Sequence, residues 1–167
     1  QNQERGHPLV ADWPLYEGDV RQWIKTADVA SLNGLDLVAG GPPCQPFSMG
    51  GKHQANLDGR DMFPAAVSIV RTLRPRAFLF ENVKGLTRAS FSAYFSYIHL
   101  QLEFPEVAKR SDESWIDHQV RLQQFKTSSK NSGSGLSYRL FVGLVNAANY
   151  GVAQKRERVF MVGFRSD

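Results

Sequence analysis

A single cysteine stands among the 167 residues, in a stretch suited to presenting a reactive group. Residues 40–48 read Gly-Gly-Pro-Pro-Cys-Gln-Pro-Phe-Ser and follow the apolar run Leu37, Val38, Ala39, which has the character of a buried strand. Three prolines and two glycines then exclude both helix and ladder, so the backbone must form a stiff loop at the carboxyl end of that strand. In an open α/β sheet this is where ligands bind. An isolated cysteine is ordinarily a small buried hydrophobe. One carried beyond the strand on a proline-stiffened loop faces the crevice instead, and its thiolate is positioned as a nucleophile.

Glu81 is the second group with chemical potential. It follows another strand-like run, residues 77–80, and two parallel strands joined by a right-handed crossover bring their carboxyl ends to one edge. Buried there, a carboxyl would hold its proton near neutral pH and act as an acid; the competing reading is a carboxylate capping a neighbouring helix. Lys155, Arg156 and Arg158 form a third group, either an anion-binding cluster or a solvated charged turn. Asp19, just ahead of a helical pattern, reads equally as a helix cap or as a ligand-binding acid.

These groups need elements to hold them. Val20, Trp23, Ile24 and Ala27 are spaced as one helix face; Met62, Ala65, Ala66, Ile69, Val70 and Leu73 as another, with Pro64 tolerated in the first turn and Pro75 ending it. Phe91, Tyr94, Phe95, Ile98 and Leu102 give a third helix, and Trp115, Ile116 and Val120 hint at a short fourth. Residues 77–80 read as a central strand covered on both faces. Residues 138–147 and 159–164 pair as a hairpin with the basic cluster at its tip. A mostly parallel sheet with a C-terminal antiparallel hairpin is therefore expected, with a flexible loop near residues 127–136.

Composition narrows the function classes. The chain is 42% hydrophobic and 22% charged, long enough for about one domain, and has no apolar run long enough to span a membrane. A net charge of +4 and a pI near 9.4 fit a polyanionic partner. Arg71, Arg74 and Arg76 read as a solvated helix end. His7, His53, His99 and His118 are scattered, so no metal site is expected. The single cysteine and the lack of a signal peptide fit a reducing cytoplasm.

Three motifs stand in order: Gly-Pro-Pro-Cys-Gln-Pro-Phe-Ser at 41–48, Phe-Glu-Asn-Val at 80–83 and Gln-Lys-Arg-Glu-Arg at 154–158. Together they resemble the cytosine-5 DNA methyltransferase family, over nearly the whole chain from Gly18 to Phe164. The resemblance implies a class I, Rossmann-like methyltransferase fold, S-adenosylmethionine as cofactor and double-stranded DNA as substrate. It also implies roles for named residues. Cys44 adds to carbon 6 of a flipped cytosine, Glu81 is the general acid at ring nitrogen 3, and Arg156 and Arg158 hold the base and nearby phosphates. Asp19, Val20, Pro43 and Phe63 contact the cofactor, while Gln45, Ser48, Lys52, Arg60 and Lys155 lie along the DNA.

The chain departs from the family at Ala153, where proline is usual, and at Asn149, where aspartate is frequent. It lacks the family's Phe-x-Gly-x-Gly loop, the acid ending the second strand and a target recognition domain. It opens at Gln1 rather than at a methionine. The expectation is a partial catalytic domain, residues 1–167, of a bacterial or phage-type restriction-modification enzyme, with an N-terminal half or a companion chain elsewhere. Alone, it should self-associate through an exposed sheet edge. An inert nucleic-acid-binding fragment and an RNA cytosine-5 methyltransferase are the alternatives.

Overall fold

The structure is a computed structural model that describes residues 14–26, 29–32, 34–43, 61–128 and 135–166. In chain order the elements are α1 (Val20–Thr26), β1 (Leu37–Gly40), α2 (Phe63–Leu73), β2 (Ala77–Val83), α3 (Ser92–Glu103), α4 (Trp115–Thr127), β3 (Tyr138–Asn146) and β4 (Glu157–Arg165). The expected loop near 127–136 falls largely on residues 129–134, outside the described residues.

The four strands form one sheet in the order β1-β2-β4-β3. β1 and β2 are parallel, with α2 as the crossover between them, whereas β4 is antiparallel to both β2 and β3. The sheet is thus mixed, and two of its three pairings are antiparallel, which corrects the mostly parallel expectation. The physical reason lies in the hairpin. Residues 147–156 turn the chain back so that β3 and β4 are antiparallel neighbours, and the returning strand, not the outgoing one, docks on β2.

The helices pack against one face only. Phe78 and Phe80 of β2, Met161 of β4 and Tyr138 of β3 share a core with Phe63, Val67 and Val70 of α2, Ile98 and Leu102 of α3, and Leu122 of α4. Phe78 stacks on Phe80 at 5.1 Å between ring centroids and tilts against Tyr138 at 5.2 Å. Opposite Phe78 in the ladder sits Gly163, where an added Cβ would come within 2.3 Å of the Phe78 ring. The glycine makes room for that ring, so its place is set by close packing.

The opposite face carries Leu37, Ala39, Leu79, Glu81, Phe160, Val162, Phe164 and Phe141, and no described element covers it. β2 therefore alternates between buried and half-buried positions up to an exposed Val83, and among the described residues only one of its faces is covered. Among the described strands β1 lies at the edge, and Leu37 is about half exposed rather than buried.

α2 begins with Pro64 in its first turn, where the absent N–H is no loss, and stops before Pro75, with Arg74 in the left-handed region at φ 47°. Arg74 also pairs with Glu106, and Arg76 with Asp36, so these cations bind neighbouring elements. α4 is 13 residues long, longer than its apolar pattern implied, and buries His118 and Leu122 while Ile116 and Val120 are exposed. Its inward face is set by hydrogen bonding as well as apolarity. His118 Nδ1 lies 2.7 Å from the Tyr97 hydroxyl, and Nε2 lies 2.7 Å from the Val107 carbonyl.

Candidate active site

The parallel pairing of β1 and β2 places Gly40 beside Phe80, so the chain leaving β1 passes over the carboxyl end of β2. A Cβ on Gly41 would lie 3.4 Å from Glu81 Oε2, so the loop backbone runs against the carboxylate. β4 runs the other way, which brings its first residues to the same edge: Val83 pairs with Arg158 in the ladder. On the open face Glu81 and Arg158 are diagonal neighbours on adjacent strands. Arg158 Nε and Glu81 Oε1 are 2.7 Å apart, with the arginine mostly enclosed and the glutamate 38% exposed.

This ion pair changes the reading of Glu81. Burial was expected to desolvate it; the carboxyl is instead partly solvated and bound to a cation, because it points to the uncovered face. The Arg158 guanidinium also donates from Nη1 to the Glu157 carbonyl at 2.8 Å. Glu157 in turn accepts from Lys84 Nζ at 2.9 Å, a contact that holds its carboxyl below the ordinary range. Lys155 and Arg156 are exposed just before β4. The turn that carries them is fixed by its backbone, since Asn146 Oδ1 accepts the Arg156 N–H at 3.1 Å and the Arg156 carbonyl accepts the Ala147 N–H at 2.9 Å.

The proline loop is held through its carbonyls. Pro42 O accepts from Asn82 Nδ2 at 2.8 Å, and Pro43 O accepts the Met62 N–H at 2.9 Å, just ahead of α2. Cys44, Gln45, Ser48, Lys52 and Arg60 lie outside the described residues. Glu81, Arg158, Lys155, Arg156 and Pro43 are brought to one end of the sheet.

The other expected ligand-binding residues are placed differently. The Asp19 carboxylate accepts the Arg21 N–H at 2.8 Å and the Arg21 guanidinium at 2.6 Å, which holds it below the ordinary range. It therefore caps α1. Val20 is half-buried and Pro43 exposed, whereas Phe63 has no exposed surface and belongs to the core, so it offers no face to a cofactor. Its place in the hydrophobic core cluster is the reason. Among the described residues no group of three or more His, Cys, Asp or Glu is placed to hold a metal ion, and no helix is long and apolar enough to cross a membrane.

Asn82 was quoted within a motif but given no task by the sequence. It is a buried polar residue on a strand, between an exposed-face Glu81 and an exposed Val83, and that pattern was the available signal.

The sequence matches the family of C-5 cytosine-specific DNA methylases over residues 11–105 and 116–167. The Type II methyltransferase M.NgoMIV of Neisseria gonorrhoeae is 33% identical over 156 residues, covering 93% of this chain and 39% of its own length. The Type II methyltransferase M.AquIA of Picosynechococcus is 33% identical over 161 residues, covering 93% of this chain and 56% of its own. A crystal structure of S. pombe Dnmt2 methyltransferase aligns with 17% identity and a TM-score of 0.44, covering 89% of this chain and 36% of that one. The chain spans roughly a third to a half of the curated relatives it matches. On the match along most of its length, it belongs to the family of C-5 cytosine-specific DNA methylases.

Proposed function

We propose that this chain is the catalytic segment of an enzyme that methylates carbon 5 of cytosine in double-stranded DNA. The observation that carries the reading is the Glu81–Arg158 pair, 2.7 Å apart, beside the loop that leads into Cys44. An acid and a cation meet there, next to the described backbone of residues 41–43 that precedes Cys44, and the reaction needs both.

Carbon 5 of cytosine is a poor nucleophile. The Cys44 thiolate forms a bond to carbon 6, and the displaced electron pair makes the ring enamine-like, with charge accumulating at ring nitrogen 3. Glu81 gives nitrogen 3 a proton. S-adenosylmethionine, when bound, supplies the electrophilic methyl group that carbon 5 takes up. Loss of the carbon-5 proton to a base then restores the ring double bond and expels Cys44 as the thiolate, and nitrogen 3 returns its proton to the Glu81 carboxylate. Arg158 orients the Glu81 carboxyl through Nε. A guanidinium carries five N–H donors, so it retains others for the base or a flanking phosphate.

Asp19, Val20 and Pro43 offer accessible groups for the cofactor, a carboxylate suiting an exocyclic amine; Phe63 does not. Arg156 and Lys155, exposed at the hairpin end, suit DNA phosphates, and Gln45, Ser48, Lys52 and Arg60 are assigned to the same strand path. The site of action is the cytoplasm, within a restriction-modification system of the kind the Type II names of the relatives denote. The uncovered apolar face supports further polypeptide, in the same chain or a companion, completing the enzyme. The isolated 167 residues are accordingly expected to bind cofactor poorly, to lack activity and to self-associate.

The test is covalent trapping by the complete enzyme containing this segment. DNA with 5-fluorocytosine at the target should form a denaturation-resistant adduct, since fluorine cannot leave as a proton. Cys44→Ser should abolish it, and an RNA of the same sequence should not be trapped. An equally efficient serine variant, or preferential RNA trapping, overturns the assignment.

A further inference from the structure

We propose that Asn146 is the positioning residue for Arg156: its side-chain oxygen binds the Arg156 N–H and so fixes where the exposed guanidinium is presented to the DNA backbone. The inference rests on the assignment of Arg156 to DNA phosphates and deepens it.

The connection that carries Arg156 has little in its own sequence to stiffen it. Residues 147–156 read Ala-Ala-Asn-Tyr-Gly-Val-Ala-Gln-Lys-Arg, without a proline, and Gly151 stands in the left-handed region at φ 82°. Its two ends are held instead. Asn146 is the last residue of β3 and pairs in the ladder with Glu157, the first of β4. Its Oδ1 accepts the Ala148 N–H at 3.1 Å and the Arg156 N–H at 3.1 Å. A carboxamide oxygen has two lone pairs, so one atom binds both the outgoing and the returning chain. The Arg156 carbonyl in turn accepts the Ala147 N–H at 2.9 Å, and both backbone groups of the arginine are engaged.

A helix cap accounts for only half of this. The Ala148 bond is local, two residues on, and caps the single turn Ala147–Tyr150. The Arg156 bond spans ten residues and adds nothing to that turn; what it fixes is the stem of a cation. The next two residues are held by other elements: the Glu157 carboxylate accepts from Lys84 Nζ at 2.9 Å, and Arg158 Nε lies 2.7 Å from Glu81 Oε1. Arg156 is the exposed one of the three, so its backbone is the means of aiming it. A long side chain loses rotamer freedom when it takes up a phosphate, and a fixed stem reduces what else must be ordered at that moment.

The experiment uses the complete enzyme and measures DNA affinity across a series of salt concentrations, methyl transfer at saturating DNA, and thermal midpoint. Asn146→Leu removes the acceptor at nearly the same size; Asn146→Ala removes it without added apolar surface. Arg156→Ala should weaken binding by about tenfold and lower the slope of log affinity against log salt by about one, as loss of one phosphate contact does. Each Asn146 variant should weaken binding by at least about threefold and lower the same slope, with turnover at saturating DNA within about threefold of the parent. In the Arg156→Ala background the Asn146 substitutions should change affinity by less than about twofold, since their effect passes through that arginine. Affinities of both Asn146 variants within about twofold of the parent overturn the inference. So do losses that multiply in the double variant, a lowered midpoint with an unchanged salt slope, or failure of both variants to fold, because Asn146 would then serve the turn alone. The two levels separate in the parent enzyme: if it does not methylate cytosine in DNA, the functional reading fails, whereas an active parent weakened by Arg156→Ala but not by the Asn146 variants sinks this inference alone.

Discussion

Phe78 and Phe141 are phenylalanines of the same sheet, one fully buried and the other 54% exposed. The difference is the face each points to. Phe78 meets Phe80, Tyr138 and the helical layer; Phe141 meets the Phe164 ring at 6.1 Å and no described helix. Strand alternation in a sheet with helices on one side produces both environments from similar residues. The covered face provides cohesion, and the open face ends in Glu81 and Arg158, where the chemistry is proposed.

The most severe test of that division is on the open face. Glu81→Gln keeps shape and hydrogen-bonding reach but removes the acidic proton, so methyl transfer by the complete enzyme should fall by about 10²- to 10⁴-fold. The thermal midpoint should move by no more than about 2 °C, because the residue is partly solvated and its ion pair contributes little to stability. A large loss of stability with little loss of rate would reverse the roles of the two faces.

Truncating the paired phenylalanines compares the faces directly. Phe78→Ala should destabilise the isolated chain by about 3–5 kcal/mol in urea titration, since it empties a fully enclosed site. Phe141→Ala should alter stability by under about 1 kcal/mol. It should also weaken self-association in sedimentation, because the exposed rings of Phe141 and Phe164 supply the adhesive surface. Equal effects on stability would mean that the open face is packed in solution.

Much of this division was legible in the sequence, and the illegible part has physical causes. Helical spacing located α2 and α3, Pro75 ended α2 where expected, and two apolar runs adjacent in sequence gave the β3–β4 hairpin. Spacing alone could not tell that β4 rather than β3 docks on β2, since both hairpin strands are apolar. Leu79, Val162 and Phe164 have the composition of core residues, so their exposure became visible only once the helices were located on the other side. The Glu81–Arg158 pair joins residues far apart in the chain, and it depends on that same docking register. α4 was underestimated because its inward face includes a histidine, whose burial requires Tyr97 and Val107 as partners.

A smaller effect probes the fit of the covered face itself. Gly163→Ala places a methyl group in the space of the Phe78 ring, which is enclosed and cannot move aside freely. The expected loss is about 1–3 kcal/mol, read from the urea midpoint, and Phe78→Leu in the same chain should recover part of it. An alanine variant as stable as the parent would show that the ring has room. The same substitution at Gly143, where an added Cβ meets nothing, should be nearly neutral in packing terms.

The smallest effect concerns a buried imidazole within the covered layer, that of His118. His118 is 1% exposed, and burial is the main cause holding its pKa below the ordinary value of 6.5; the hydrogen bond to the Val107 carbonyl and, less, Glu113 oppose it, while the nearby cations Arg121 and Lys109 act in the same direction as burial. In the folded chain Nε2–H donates to Val107 O, so Nδ1 accepts from Tyr97, a pairing that suits the neutral ring. Burial likewise lowers the pKa of His99. The sign follows from proton counting: below 6.5 the unfolded chain takes up protons that the folded chain does not, so stability is fully present above that pH and declines as pH falls. The slope per histidine cannot exceed about 1.4 kcal/mol per pH unit. Urea midpoints at about pH 7.5 and about pH 5.5 should therefore show a loss of stability at the lower pH, reduced in His118→Gln, which keeps a donor and an acceptor but does not titrate in this range. A variant with the same acid loss as the parent would move the effect to His99 or to the carboxylates, and would leave the covered face without a titrating group.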